Sequence, residues 1–230
     1  MTTAAFWQEF ETRIHKYDLL CHPFYEAWSA GQLTREDLRE YSAAYYHHVA
    51  AFPTYLSALH SRLQDGELRR AVLRNLADEE IEGIAHSDLW LDFAEGMGAD
   101  RDAIRSSEVP AEISALVKHF VSTAREADAV SALAAFYAYE SQVPRVAEAK
   151  AAGLKEMYGA DVKTCGYFSL HKFADVQHSK VWREQVEALI ANDDAAAQRA
   201  LDAGEEAAKQ LWGALDRIEA KRQERIAVTQ

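Results

Sequence analysis

The sequence predicts an all-α protein made of a single domain, and three observations support this fold class. Glycine and proline are scarce, at 10 and 4 of 230 residues, whereas Ala, Leu, Glu and Arg, which favour helices, are abundant. Apolar residues recur three and four positions apart, which is the period of an amphipathic helix. Short breaks rich in Gly, Pro or Asp separate these segments, and no interdomain linker is found. Residues 1–230 are therefore expected to fold as one helical domain.

The first part of the chain predicts three helices. The apolar stripe of the first helix consists of Phe6, Trp7, Phe10 and Ile14. Pro23 is suited to the first turn of a short second helix, which should end near Gly31. Thr34 is the predicted N-cap of a long third helix, and Pro53 should bend that helix because proline lacks a backbone donor.

The rest of the chain predicts longer helices separated by turns. They are Glu67–Gly96, a segment around Ile113, Leu116 and Phe120, Val130–Tyr158, a helix containing Ser169–His178, and Asp194–Arg225, with residues 96–110 as a connector. The last helix grows polar towards its end, so about ten C-terminal residues are expected to fray.

Charge and composition exclude several classes of protein. The net charge is −12, and no basic patch stands out that could bind nucleic acid. The two cysteines, Cys21 and Cys165, are too few for a disulfide framework. The N-terminus has no signal-peptide pattern, and no run of about 18 apolar residues could span a membrane. We therefore expect a cytoplasmic protein without a nucleic-acid or membrane partner. The oligomeric state stays open, with a homodimer as one alternative.

The most informative stretch is the predicted helix that carries His171, Asp175 and His178. Offsets of four and seven residues return to within about 40° of the starting direction, so the three side chains share one narrow strip. Phe168 and Trp182 flank this strip, which should therefore face the core. Buried imidazoles and a buried carboxylate need a partner, which iron, manganese or zinc would supply. A solvated polar stripe with one core histidine is the alternative.

Two other predicted helices offer matching ligands. Glu79 and His86 are seven residues apart and share a helical face. Comparable candidates by composition are Asp78, Glu80 and Glu82. Glu140 lies in one of the most apolar stretches of the chain, where a lone carboxylate would be poorly solvated. Together, the helices supply three carboxylates and three histidines, a set that suits two adjacent transition-metal ions in a helical bundle.

The combined pattern resembles the haem-oxygenase-like dimetal oxidase superfamily. The residues that carry the resemblance are Asp78-Glu79-Glu-x-x-Gly83-x-x-His86-x-x-Leu-Trp90, Tyr139-Glu140-x-Gln-x-Pro144 and His171-x-x-x-Asp175-x-x-His178. Within the superfamily, the pattern is most similar to the group of the chlamydial death-domain-associating protein and its bacterial relatives, which is related to coenzyme PQQ synthesis protein C. The resemblance covers most of the chain and implies a compact seven-helix bundle without haem.

The resemblance also implies a self-sacrificing reaction that forms p-aminobenzoate for folate. It would use O2, an external reductant and two metal ions, either two irons or iron with manganese; the electron donor is not identified. By position in the pattern, Tyr25 is expected to supply the ring and Lys150 the amine. The tyrosines expected to surround the metal site are Tyr41, Tyr139 and Tyr167. Without the resemblance, Tyr25 reads as a core tyrosine and Lys150 as a solvated lysine on the flank of the Glu140 face.

Two other classes of function stay open. A multi-turnover dimetal oxidase or decarboxylase, or an oxidase of the PQQ-synthesis type, would act on an external small molecule and leave the mass of the protein unchanged. A module that recruits a helical signalling domain would not need six inward-pointing ligands, so the sequence argues against it as the main role.

Overall fold

A computed structural model describes residues 1–229 of the chain. Over this range it contains eleven α-helices and one short 3-10 helix, with no strand, which confirms the all-α prediction. The helices are α1 (Thr3–His15), α2 (Pro23–Ser29), α3 (Arg35–Arg62), α4 (Glu67–Glu80), α5 (His86–Gly96), α6 (Arg101–Ser106), α7 (Ala111–Glu126), α8 (Ala129–Glu140), α9 (Val143–Met157), α10 (Gly166–Ile190) and α11 (Asp194–Thr229), and the 3-10 helix is Leu19–Cys21.

Local sequence signals explain where α2 and α3 begin. Pro23 occupies the first turn of α2, and Nδ1 of His22 accepts a hydrogen bond from the backbone of the same turn. The Thr34 hydroxyl accepts a hydrogen bond from the Asp37 backbone, and the Asp37 carboxylate accepts one from the Thr34 backbone. This reciprocal cap satisfies two N–H groups that a helix would otherwise leave unpaired. Both helices therefore begin where the sequence predicts.

Two segments that the sequence predicts as continuous helices are interrupted, which corrects that expectation. The 67–96 segment divides into α4 and α5, because Gly83 adopts a φ of 95° in the left-handed region. The 130–158 segment divides at Ser141–Gln142, because Pro144 in the first turn of α9 cannot donate to the Glu140 carbonyl. The predicted connector 96–110 also contains α6. Seven longer units remain when α4 is counted with α5, α8 with α9, and the short α2 and α6 are set aside.

Helix α8 forms the centre of the bundle. Its residues from Val130 to Glu140 are all buried, as expected of a helix that is apolar on every side. It packs against α10 and α11, while α3 packs against α5 and α7. None of the helices within residues 1–229 combines the length and the apolar character that crossing a membrane requires.

Helix α9 approaches α2 closely because Gly153 has no side chain. A Cβ atom at this position would lie 2.9 Å from Cδ1 of the buried Trp28. The close approach brings Lys150, one turn before Gly153, against Tyr25 in α2. The packing of α9 against α2 thus places Lys150 beside Tyr25, although the sequence pattern predicts only that Lys150 lies to one side of the Glu140 face.

Candidate metal centre

Four helices direct carboxylate and imidazole side chains at one buried region. Within residues 1–229, two sets of three groups have ligand atoms that all lie within 4.8 Å of one another. The first set is Glu79, His86 and His171, and the second is Glu79, Glu140 and His178. Because Glu79 belongs to both sets, the two sets adjoin, and together they would suit two neighbouring ions.

Asp175 adds a further carboxylate from α10. One of its oxygens lies 3.3 Å from Nδ1 of His178, and Oε1 of Glu140 lies 3.5 Å from the same nitrogen. On the other side of the region, Nδ1 of His86 lies 2.9 Å from Oε2 of Glu79. The structure therefore brings together all six side chains that the sequence pattern selects as ligands.

The structure also separates the competing acids of the α4 region. Glu79 is buried, whereas Glu80 and Glu82 are exposed. Asp78 is half-buried, and its carboxylate accepts a hydrogen bond from Nε2 of His178 at 2.6 Å. An acceptor on one nitrogen of an imidazole fixes the orientation of the ring. Asp78 therefore orients His178, a role that the sequence alone does not distinguish from that of a metal ligand.

Several polar atoms at the centre make no well-formed hydrogen bond to the protein, and this fits a metal site. Among the described residues, Nδ1 of His86, Oε1 of Glu140 and Nδ1 of His178 are buried without a hydrogen bond, in spite of their short distances to neighbouring groups. A buried polar atom without a partner costs about 1–3 kcal/mol. Imidazole nitrogens and carboxylate oxygens together suit iron or manganese, so two such ions would satisfy these atoms.

The pKa shifts within the cluster indicate that its buried carboxylates need a positive charge beside them. Burial raises the pKa of Glu140, and burial with the neighbouring Glu140 charge raises the pKa of Asp175 to about 7. Burial opposes the charged form of His178, but contacts with Asp175 and Glu140 outweigh it and raise its pKa to about 12. Burial and the nearby His86 lower the pKa of His171 well below its usual value. His171 is therefore neutral, which is the form that binds metals.

A second buried cluster joins Lys150 to two tyrosines. Nζ of Lys150 donates hydrogen bonds to the phenol oxygens of Tyr25 at 2.7 Å and of Tyr41 at 2.6 Å. The two phenol oxygens lie 2.9 Å apart and share a further hydrogen bond. The sequence places Lys150 on the flank of the Glu140 face only if one continuous helix carries both residues. In the structure, Glu140 lies in α8 and Lys150 in α9, so this angle does not apply.

Aromatic rings surround the amine of Lys150. Its nitrogen lies between 4.1 and 5.9 Å from the ring centroids of Tyr25, Trp28, Tyr41, Tyr45, Trp90 and Phe168. One such contact stabilises an ammonium by about 0.5–2 kcal/mol, whereas a buried charge without a counter-charge is so costly that the group neutralises instead. Burial prevails and lowers the pKa of Lys150 well below its usual value. Burial also raises the pKa of Tyr25 and of Tyr41, so both phenols stay protonated.

Tyr139 and Tyr167 lie between the two clusters. Both line a cavity of about 10 Å³ that is shared with Glu140 and other predicted ligands. Both also line a neighbouring cavity of about 20 Å³ that is shared with Tyr25 and Lys150. Each cavity has room for about one water molecule. The two tyrosines therefore form the common wall of the metal-side cavity and the lysine-side cavity.

Two supporting contacts are missing from the sequence analysis. Trp182 donates its indole N–H to the Glu140 carboxylate. Nδ1–H of His171 donates to the Tyr167 carbonyl at 2.8 Å, which leaves Nε2 of the ring for a metal. The sequence already places Trp182 beside the strip of ligands, four residues after His178, but its contact with Glu140 depends on the packing of α8 against α10.

An all-helical chain with a buried site suited to two transition-metal ions and with adjacent tyrosines defines a non-haem redox enzyme. The model of a haem-oxygenase-like family described as iron-containing redox enzymes matches residues 39–220, and the chain belongs to this family. The family confirms the predicted class of enzyme.

Relatives with assigned names extend over nearly the whole chain. The 4-aminobenzoate synthase of Chlamydia trachomatis is 37% identical over 212 residues, which span 92% of this chain and 90% of that protein. The 4-aminobenzoate synthase of Nitrosomonas europaea is 37% identical over 228 residues, which span 95% and 92%. A solved structure from Shewanella denitrificans, a domain of unknown function with a haem oxygenase-like fold, matches with a TM-score of 0.81 at 15% identity. The match covers 97% of this chain and 94% of that one, and it confirms the predicted fold.

Proposed function

We propose that this protein makes p-aminobenzoate (4-aminobenzoate) for folate from its own Tyr25 and Lys150. The observation that carries the proposal is the 2.7 Å distance between Nζ of Lys150 and the phenol oxygen of Tyr25. It puts an amine beside the ring position where the product carries nitrogen. The names of the relatives, which are similar over nearly the whole chain, support the same product.

The atoms of the two side chains fit this product. In tyrosine, Cβ is para to the phenol oxygen, and in p-aminobenzoate the carboxyl carbon is para to the amine. Cleaving the Cα–Cβ bond of Tyr25, oxidising the released Cβ to a carboxylate, and replacing the phenol oxygen, which would leave as water, with the nitrogen released from Cε of Lys150 would convert one into the other. The overall conversion is oxidative. Two irons, or iron with manganese, bound by the six ligands would supply the oxidising power from O2 and an external reductant.

The residues around Tyr25 are suited to defined tasks. The neutral amine of Lys150 keeps the lone pair that a nitrogen donor needs. Tyr41 accepts a second hydrogen bond from this amine and so fixes it beside Tyr25. Tyr139 and Tyr167 line both cavities and are phenols that can lose an electron, so they are suited to pass oxidising equivalents towards Tyr25.

The size of the inner cavity argues against an external aromatic substrate. The space beside Tyr25 is about 20 Å³, which holds a water molecule but not a benzene ring. An oxidase of the PQQ-synthesis type would need space for its substrate at this point. A ring that is already part of the protein needs none.

Isotope labelling tests the proposal directly. Protein expressed with ring-¹³C tyrosine and ε-¹⁵N lysine would be exposed to iron, reductant and O2 with no aromatic compound added. We expect p-aminobenzoate that carries both labels, at most a single equivalent per chain, and a matching loss of mass from the protein. Unlabelled product, or many turnovers per chain, would exclude the self-sacrificing reaction and favour an external substrate.

A further inference from the structure

A polar cleft lies outside the cavity that contains Tyr25. Its volume is about 320 Å³, and Asp18, Ser141, Gln142 and Arg145 are among its lining residues. A volume of this order is typical of sites for small molecules. A free aromatic acid therefore fits the cleft, although it does not fit the inner cavity of about 20 Å³.

The start of α9 forms one half of the wall between the cleft and the inner cavity. Gln142 and Arg145 line the cleft, whereas Val143 and Val146 line the inner cavity together with Lys150. The residues of one short segment thus alternate between the two spaces. Because α8 ends just before this segment, the wall lies at an interruption between two helices.

The chain before α2 forms the other half of the wall. Asp18 lines the cleft, and the next residue, Leu19, lines the inner cavity. The Leu19 backbone N–H donates to Oε1 of Gln142 at 3.1 Å, which joins the two halves. At this point the cleft and the inner cavity are separated by a single layer of residues.

An ion pair closes the wall on the side of the cleft. The guanidinium nitrogens of Arg145 lie 3.2 and 3.3 Å from the two carboxylate oxygens of Asp18. The Asp18 side chain is 8% exposed, but that of Arg145 is 55% exposed, so the arginine is free to turn outwards. The other acid of the cleft, Glu11, is paired with Arg183 at 3.1 Å. Among the described residues, Oγ of Ser141 is buried in this region without a hydrogen-bond partner.

We propose that the cleft is a release site for an aromatic carboxylate, in which Arg145 exchanges Asp18 for the carboxylate of the departing product. This inference rests on the proposed function, which leaves a p-aminobenzoate anion in a closed cavity. A guanidinium binds a free carboxylate in the same two-bonded geometry that it uses with Asp18. Ser141 offers a further donor, because its Oγ has no hydrogen-bond partner and it lines the cleft.

Calorimetric titration of p-aminobenzoate into the full-length, metal-loaded protein under anaerobic conditions tests the site. Arg145→Gln should weaken binding about tenfold, because a charge-assisted contact is lost. Asp18→Asn should tighten binding several-fold, because it frees Arg145. The neutral p-aminobenzamide should bind weakly to all these proteins. Arg199→Gln removes an arginine that pairs with Asp128 elsewhere, and it should bind p-aminobenzoate as the wild type does.

Equal affinity of the wild type and Arg145→Gln, or equal binding of acid and amide, would overturn the proposal. Arg145→Lys keeps the charge without the paired donors, and it should retain part of the affinity, which separates loss of the anchor from loss of structure. The titration does not depend on the chain making the compound itself. Labelled product with charge-insensitive binding would overturn the release site alone. Arg145-dependent binding with unlabelled product would support the site and overturn only the origin of the product in Tyr25.

Discussion

Nζ of Lys150 lies 2.7 Å from the phenol oxygen of Tyr25, although 125 positions separate the two residues in the chain. Two features of the fold produce this contact. The interruption after Glu140 gives α9 its own direction, and Gly153 allows α9 to approach Trp28 in the helix that carries Tyr25. Burial of the amine and of the phenol keeps both groups neutral.

Tyr25→Phe should abolish p-aminobenzoate formation while leaving the metal content unchanged. The phenylalanine ring keeps the packing against Trp28 but lacks the oxygen that nitrogen must replace. Product measured by mass spectrometry and metal measured by elemental analysis test both parts. Tyr17→Phe changes a half-buried tyrosine outside both clusters and should still form product. Wild-type amounts of product from Tyr25→Phe would exclude Tyr25 as the source of the ring.

The neutral amine of Lys150 predicts that stability rises with alkaline pH. In the unfolded chain a lysine amine stays protonated up to about pH 10.4, whereas burial lowers the pKa of Lys150 in the folded chain. Between these two values unfolding takes up a proton. The free energy of unfolding therefore rises by about 1.4 kcal/mol per pH unit until the unfolded lysine also loses its proton. As the pH falls towards the pKa of the folded protein, this gain in stability is lost.

Lys150→Met removes the titrating amine, and with it this pH-dependent change in stability, while keeping a side chain of similar volume. Urea denaturation between about pH 8 and 10 should show the stability of the wild type rising relative to that of Lys150→Met. Lys155→Met changes an exposed lysine later in α9 and should follow the wild type at every pH. A difference between wild type and Lys150→Met that does not vary with pH would mean that the amine is charged in the folded protein.

The clustered carboxylates predict that metal ions stabilise the fold. Binding to the folded state alone adds about 2.7 kcal/mol at a free concentration 100 times the Kd. For a chain of this size, that raises the Tm by roughly 5–10 °C in calorimetric melts with iron or manganese. Glu140→Gln and His178→Ala should bind fewer ions and lose part of this rise, whereas the exposed Glu184→Gln should retain it. Full metal content in both ligand variants would show that the assignment is wrong.

Helical periodicity explains why most of the candidate site is predictable from the sequence. His171, Asp175 and His178 share one strip of α10, and this depends only on the geometry of one helix. Glu79 and His86 also meet, but for a different reason. The chain breaks between them at Gly83, so their contact at 2.9 Å is made between two helices and not along one. Seven-residue spacing therefore predicts that the two residues meet, but from a continuous helix that the structure does not contain.

The contact between Lys150 and Tyr25 has no such periodic signal. It joins two helices that are distant in the chain, and it depends on the break before α9 and on the absence of a side chain at Gly153. A continuous helix from Val130 to Tyr158 would leave Lys150 on a flank. Only resemblance to a known pattern selects the two residues from the sequence, because tertiary packing and not local periodicity brings them together.

Gly153→Ala should destabilise the protein and reduce product formation. The added Cβ would lie 2.9 Å from Cδ1 of Trp28, which is fully buried and cannot move aside. Overpacking of this kind costs about 1–3 kcal/mol, and the better helix propensity of alanine offsets about 1 kcal/mol of it. Because α9 must shift away from α2, the amine of Lys150 should also move away from Tyr25. Urea denaturation and single-turnover product yield measure the two effects.

The same substitution elsewhere provides a control of opposite sign. A Cβ at Gly213 in α11 meets only the end of the Arg217 side chain at 3.5 Å, so Gly213→Ala should stabilise the protein by about 1 kcal/mol. Trp28→Ala removes the indole ring that the new methyl group would strike. In a double-mutant cycle, Gly153→Ala should therefore cost less in the Trp28→Ala background than in the wild type. Equal costs in the two backgrounds would mean that Trp28 does not set the distance between α9 and α2, and that Gly153 does not position Lys150 through this contact.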